Sequence, residues 1–387
     1  MRNKIGIFGG TFDPIHKGHL KALKNFIIRI NPDKTLVIPA GIPPHKKEAT
    51  TSAEDRVNMI RTAIRDLNNT EICLYETLKE GKCYSYDTLT YLHETYPNTD
   101  FVMFVGSDML MSFDRWYKAE ELAKLTDLAV FSRNGDDMDE LTAKAKELKQ
   151  TIGVNATVYP DIPTEISSTE IRNAILNGDP TELINPETMA YISSKGLYGA
   201  KIEFHKDAVL QILRKRLNPK RFAHVLGVAE TAVKYAKLYG ADTKKAEIAG
   251  LLHDCTKDFD YNTNLKLIET YGYCVTDEDK AEPIIHSVTA PISAKYDFGI
   301  EDEEILSALR FHTTGRACMS LLDKIIYVAD FTEPTRNYSD VDFYREKAEK
   351  DLDEALFLGM KWIIRDKIDN NRFLHPESIK MFNSMLK

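Results

Sequence analysis

A histidine and an aspartate stand side by side in LLHDCTKD (251–258), at the end of an apolar, helix-like run. Two ionisable groups there are costly to bury unless something binds them. The same kinds of donor recur at His224, at His286 in IIHSVTA, at His312 in RFHTTGR, and at Asp330 on an otherwise apolar face of LLDKIIYVADF. Neutral imidazoles with carboxylates suit Mn, Fe or Zn, and such sites are built between facing helices. Four ligands serve one metal; six serve two, with Asp254 able to bridge. Two bridged ions activate a water and clamp a phosphate during in-line displacement. Lys257 and Arg316 are then natural neighbours for phosphate oxygens. Taken singly, each histidine would more often be a core or surface residue, so the ordered set carries the reading. His205 and His375 fit no motif and are expected at the surface.

A second cluster lies at the other end of the chain, in GGTFDPIHKGH (9–19). Gly9 and Gly10 allow a tight turn and close backbone approach to a phosphate, with a helix starting near Lys17. His16 and His19, three apart, share one face at the helix entrance, and Gly18 between them leaves room for a ligand. A triphosphate there would meet backbone N–H groups, the positive helix end and two imidazole donors, which suits charge developing on a phosphoryl group. A Gly-Gly turn with a lone histidine would be an ordinary cap; two at this spacing are not. In ISSTEIRNAI (166–175), Ser167 and Glu170 fit a capping box, so a helix begins there. Arg172 in its first turn opposes the macrodipole, a conflict that a shared anion removes; otherwise it is a solvated arginine.

These residues need scaffolds of two kinds. Residues 1–200 alternate continuous apolar, strand-like runs with helical patterns: KIGIF, TLVIP, EICLYE (71–76), FVMFVG, LAVFS and ATVYP are the strands. That pattern predicts a Rossmann-like α/β unit with a mostly parallel sheet and a ligand site at the strands' carboxyl ends. Residues 201–387 carry no strand signal. They read as helix after helix, including one run over EKAEKDLDEALFLGMKWIIRD, and predict an all-α helical bundle. The boundary is expected near YGAKIEFHKD.

Composition narrows the classes. The 387 residues carry a net charge of −8 and 43% hydrophobic residues, enough for two cores and unlike a basic nucleic-acid-binding arm. Five cysteines without a CxxC pair argue against a disulfide framework, and no apolar run approaches the roughly 20 residues of a membrane span. A reduced cytoplasmic protein without nucleic-acid or membrane partners is expected, as a monomer or a homo-oligomer.

GGTFDPIHKGH with ISSTEIR resembles the paired signatures of the HxGH nucleotidylyltransferase superfamily. PPHK (43–46), CYSYDTL (83–89), VGSDML (105–110), FDRWYKAEEL (113–122) and VFSRNG (130–135) follow in the order of bacterial nicotinate-nucleotide adenylyltransferases, over nearly all of 1–198. The resemblance implies that ATP, with Mg2+, and nicotinate mononucleotide give the deamido dinucleotide and pyrophosphate, a step of NAD biosynthesis. It places Gly9, Gly10, Thr11, Phe12, His16, His19, Gly106, Asp108, Ser168, Thr169 and Arg172 around ATP. It places His45, Lys46, Ser85, Trp116 and Arg133 around the mononucleotide, with Trp116 stacked on the nicotinate ring. Cys83 and Ser85 stand where the family more often has Ser and Thr, and Asn134 replaces a usual Pro. A pantetheine-phosphate adenylyltransferase is the alternative, although that family usually has Thr for the first histidine.

HVLGVAETA, LLHDCTKD, IIHSVTAP and RFHTTGRACMSLLDKIIYVADFTEPTR are similar to the HD hydrolases of the YqeK type, over about 203–387. That resemblance implies symmetrical hydrolysis of diadenosine tetraphosphate to two ADP at a two-metal site of His224, His253, Asp254, His286, His312 and Asp330. Iron is the implied metal, with Mn, Zn or Co as alternatives. Asp254 and Lys257 are the implied catalytic residues there. Nucleoside monophosphates and guanosine tetraphosphate are alternative substrates, and a nucleotide-sensing regulatory module is the alternative class.

Overall fold

The structure, a computed structural model, describes residues 3–41, 51–132, 136–160, 166–178, 183–201 and 204–386. The chain forms two compact units, Met1–Ile192 with Gly196–Lys201, and Ser193–Lys195 with Ile202–Lys387. Among the described residues no helix is long and apolar enough to cross a membrane.

The first unit is built on a six-stranded sheet in which every pairing is parallel: β1 (Asn3–Gly10), β2 (Lys34–Pro39), β3 (Thr70–Ile72), β4 (Thr99–Gly106), β5 (Asp127–Phe131) and β6 (Ala156–Tyr159). The apolar runs are continuous because helices cover both faces of the sheet. Ile5, Ile7, Leu36, Ile38, Val105 and Val130 pack to one side with Leu89 and Leu92, while Phe8, Val37, Ala129 and Phe131 pack to the other with Leu23, Phe26 and Ile60. Side chains alternate across the sheet with the strand period of two. The order is β3-β2-β1-β4-β5-β6, so the direction of winding reverses between β1 and β4. A crevice opens at such a reversal, outside the carboxyl ends of the strands.

One strand departs from expectation. EICLYE pairs only as far as Ile72, and Tyr75–Leu78 is a helical turn. At this sheet edge Glu76 turns inward to accept the Thr88 hydroxyl at 2.8 Å, an anchor that an extended chain would carry past.

In the second unit the described elements are all helices. Pro219–Tyr239 begins at an Asn218 cap and carries His224 inside it rather than at its start. Thr243–Leu252 packs across it in near backbone contact: a Cβ on Gly250 would lie 2.5 Å from the Cα of Ala229. That approach sets the His224 and His253 rings against each other, 5.2 Å between centroids. Gly250→Ala must push the two backbones apart, and we expect it to destabilise the unit by about 1–3 kcal/mol, read from the midpoint of urea unfolding. The long helical run near the C-terminus is two helices, Val341–Lys350 and Leu352–Asp369. The break falls at Asp351, whose carboxylate accepts the Glu354 N–H at 3.0 Å and caps the second helix.

Candidate functional site

In the first unit, the carboxyl end of β1 runs into the turn that delivers His16. Gly9 and Gly10 complete the strand, in register with Ile38 and Pro39, and neither takes a left-handed conformation. The left-handed residue of the turn is Phe12, at φ 51°. The glycines serve as space instead: a Cβ on Gly10 would strike the Phe12 ring at 2.7 Å, and one on Gly9 would meet nothing within 4 Å. Thr11 follows them, half-buried.

His16 caps the helix Lys17–Ile30, its Nδ1 accepting the His19 N–H at 3.4 Å. Nε2 therefore carries the proton of the neutral ring, and burial pushes the His16 pKa down to about 4. The His19 ring lies 3.7 Å from it, centroid to centroid, and edge-on to Phe12. Gly18 makes room for the His16 ring, 3.0 Å from where its Cβ would be, rather than for a ligand directly.

The capping box of Ser167 and Glu170 forms as expected and opens the helix Ser168–Leu176. Arg172 is its fifth residue, past the first turn, and reaches back to donate to the Asp13 carbonyl at 2.7 Å and to the Thr169 hydroxyl at 3.2 Å. Ser168 donates to the Pro14 carbonyl at 3.3 Å. Two groups unforeseen from the sequence hold the same turn. Arg56, 3% exposed, donates to the carbonyls of Thr11 and Ala40, both at 2.8 Å. The Tyr198 hydroxyl donates to Asp13 at 2.7 Å. At the neighbouring β4, Gly106 ends the strand and precedes the short helix Ser107–Leu110, leaving Asp108 exposed. Ser85 opens the helix Ser85–Thr95, and Trp116 is half-buried against Phe113, 5.2 Å between centroids. His45, Lys46, Arg133 and Asn134 lie outside the described residues.

In the second unit, five helices deliver donors to one buried point. His224 comes from Pro219–Tyr239, and His253 and Asp254 from the end of Thr243–Leu252. His286 opens Ile285–Phe298, His312 ends Glu303–Phe311, and Asp330 stands in the last turn of Leu321–Thr332. Asp254 is central. Its Oδ2 faces Nε2 of His224 and His253 at 3.8 and 3.6 Å, and its Oδ1 faces Nε2 of His286 and His312 at 3.4 and 3.5 Å. Within each pair the Nε2 atoms are close, 3.3 Å for the first and 3.2 Å for the second. Asp330 adds an oxygen 3.1 Å from His224 Nε2. Neighbouring ligands about 2.1 Å from one ion stand roughly 3 Å apart, so the spacing fits two cations sharing one carboxylate.

The outer partners agree. Nδ1 of His253 and His312 face the carbonyls of Gly250 and Leu309 at 2.8 and 2.7 Å, and His224 Nδ1 faces Glu333 at 3.0 Å. Each therefore keeps its proton on Nδ1 and turns Nε2 to the centre. Burial pushes His253 down to about 4 and His286 well below the usual range. Burial also works to raise Asp254 and Asp330, but the histidines around Asp254, and His224 with Arg336 beside Asp330, hold both well below it. Against burial, the carboxylates of Asp330 and Glu333 push His224 up to about 9. That compartment demands a positive charge, which a divalent cation would supply as well as a proton.

Lys257 comes to the cluster, its Nζ 3.1 Å from His286 Nδ1. Arg316 instead makes a two-pronged contact with Asp323 at 3.0 and 2.8 Å. The sequence reading missed Arg221, 2.8 Å from Asp254, Arg336, 2.6 Å from Asp330, and Glu333. Arg221 was findable: it lies three residues before His224, on the same helix face. The surface expectation is corrected for His375 and met only in part by His205. His375 is 5% exposed, caps Pro376–Met385, and lies 3.3 Å from Asp279; His205 is half-buried beside the helix Lys206–Arg216.

Comparison with known proteins divides the chain in the same way. A family model described as cytidylyltransferase-like matches residues 7–174, and one described as HD domain matches residues 221–335. A Mycoplasma genitalium protein named "Probable nicotinate-nucleotide adenylyltransferase/Ap4A hydrolase" is 27% identical over 369 residues, 94% of this chain and 98% of its own length. A Clostridium tetani "Probable nicotinate-nucleotide adenylyltransferase" is 39% identical over 198 residues, 50% of this chain and 98% of its own. A Halalkalibacterium halodurans "Bis(5'-nucleosyl)-tetraphosphatase, symmetrical" is 36% identical over 185 residues, 47% of this chain and 97% of its own.

Proposed function

Because this chain belongs to the nicotinate-nucleotide adenylyltransferases through its first unit and to the symmetrical bis(5'-nucleosyl)-tetraphosphatases through its second, we propose that it is a bifunctional enzyme carrying both reactions. In the first, a phosphate oxygen of nicotinate mononucleotide attacks the α-phosphorus of ATP, and the bond to pyrophosphate breaks. His16 Nε2–H, His19 and Arg172 donate to the phosphates as charge moves onto the leaving pyrophosphate. Thr11, Phe12, Gly106, Asp108, Ser168 and Thr169 line the ATP crevice, and Mg2+ accompanies the nucleotide. Ser85 and Trp116, with His45, Lys46 and Arg133, receive the mononucleotide. The product is the immediate dinucleotide precursor in NAD biosynthesis.

In the second reaction water cleaves a dinucleoside tetraphosphate at its central phosphoanhydride, giving two nucleoside diphosphates. His224, His253, Asp254, His286, His312 and Asp330 would hold two divalent transition ions, iron by preference and otherwise Mn, Zn or Co. Bound there, the ions supply Lewis acidity and a lowered water pKa. Lys257 and Arg221 neutralise phosphate oxygens from the protein side, and Arg316 does so if it exchanges Asp323 for phosphate. The cytoplasm, where small nucleotides are made and used, is the setting that fits these two reactions.

The observation that carries the hydrolase assignment is one carboxylate facing two imidazole pairs. Its substrate is tested by offering the purified chain diadenosine tetraphosphate, nucleoside monophosphates and guanosine tetraphosphate, with metal analysis on the same sample. Two ADP from the tetraphosphate is the expected product. Preferential turnover of either alternative would reassign the substrate, and no turnover with nucleotide still bound would make the unit a sensor.

A further inference from the structure

Glu333 is a carboxylate with no exposed surface, set behind His224 rather than among the inner donors. Its Oε1 lies 3.0 Å from His224 Nδ1, and its Oε2 accepts the Thr335 N–H at 2.6 Å. Room for it comes from Gly227, almost one helical turn beyond His224. A Cβ on that glycine would fall on Glu333 Oε2 and lie 3.3 Å from its Cδ. A glycine is less favourable than alanine in a helix interior, so the space has a structural use. Arg345 fixes the backbone of the segment, donating to the carbonyls of Thr332, Glu333 and Arg336 at 2.8, 2.8 and 2.9 Å.

The second imidazole pair is built differently. The Lys257 ammonium sits 3.1 and 3.2 Å from Nδ1 and Nε2 of His286, and among the described residues no carboxylate stands behind this ring as Glu333 stands behind His224. A neutral hydroxyl, Thr313 Oγ1, lies 3.1 Å from His286 Nε2 and 2.9 Å from His312 Nε2. Among the described residues Asp254 is the only carboxylate in contact with this pair. Each compartment has two histidines and the shared Asp254, and the first adds Asp330, whose oxygen lies 3.1 Å from His224 Nε2 and is also paired with Arg336. Arg336 and Arg221 offset part of the negative charge of the first, so donor number and ring orientation decide between the two.

Resting on the two-metal reading above, we propose that Glu333 is a positioning residue that locks His224 for metal and makes the His224–His253–Asp330 compartment fill first and hold its ion more tightly than the His286–His312 compartment. A carboxylate behind a ligating imidazole fixes the tautomer and raises ligand basicity, and losing one weakens binding by roughly 10- to 100-fold. The test is titration of the metal-stripped full chain with Co2+, followed by calorimetry and visible absorption. The same titration is run on Glu333→Ala, Glu333→Gln and Gly227→Ala, each checked for folding by circular dichroism.

Wild type should bind two ions in two steps, the first at least tenfold tighter. Glu333→Ala should weaken the first step by roughly 10- to 100-fold and leave the second unchanged. Glu333→Gln, which keeps an acceptor but loses the charge, should fall between. Gly227→Ala, which displaces the carboxylate without removing it, should act in the same direction and gives the answer if Glu333→Ala does not fold. Two equal steps in wild type, or variants that keep both affinities, would overturn the role of Glu333. A single step in wild type that Glu333→Ala weakens would uphold that role and overturn the two-metal reading instead.

Discussion

Asp254→Ala is expected to strip the second unit of metal and to lower hydrolysis of diadenosine tetraphosphate by roughly a thousandfold or more. Both oxygens of this one side chain face imidazoles. Oδ2 serves the His224 and His253 pair and Oδ1 the His286 and His312 pair, so truncation takes a ligand from both compartments at once. Metal acting on a phosphoryl group contributes several kcal/mol of transition-state stabilisation, and each 1.36 kcal/mol is tenfold in rate. About 4 kcal/mol is then about three decades. The variant should fold: Arg221, the cation beside Asp254, is 29% exposed and can turn to water. Elemental analysis after desalting is the direct check. Metal content equal to wild type would remove Asp254 from the ligand set.

His19→Ala should lower dinucleotide synthesis by roughly a hundred- to a thousandfold, the scale set by removing one donor aimed at developing charge. His19 is the cleaner probe of the two histidines. His16 is 4% exposed and caps a helix through Nδ1, so its removal mixes lost chemistry with about 1 kcal/mol of lost cap. The His19 ring is half-buried beside His16 and Phe12, and removing it leaves the cap and the turn contacts of Arg56 and Arg172 in place. Pyrophosphate release from ATP and nicotinate mononucleotide measures the loss, with thermal unfolding as the control. A loss below tenfold would mean that the imidazole does not meet the phosphates.

Much of this was legible because the chemistry and the scaffold leave separate marks in the sequence. Continuous apolar runs gave the strands, and the order of histidines and aspartates along successive helical patterns gave the buried cluster. What escaped depends on contacts distant in sequence. Gly9 and Gly10 read as turn residues, but they are strand residues whose missing side chains clear space for Phe12 and for the crevice. Arg172 read as a first-turn charge, but the helix starts at Ser168 and its guanidinium is drawn to the Asp13 carbonyl, 159 residues away. Glu333 lies inside a run that marked the family, yet only the folded chain puts it behind His224. The break at Asp351 was hidden because both flanking segments are good helix formers, and a single capping aspartate ends the run. His375 gave no motif because its partner, Asp279, approaches from a distant segment.

On the proposed function, one chain carries two reactions at two sites that work independently. The most direct test assays dinucleotide synthesis and tetraphosphate hydrolysis in parallel on intact wild type, His19→Ala and Asp254→Ala. We predict a crossed pattern: His19→Ala loses synthesis and keeps hydrolysis within about twofold, and Asp254→Ala does the reverse. Loss of both activities together in either folded variant would contradict it.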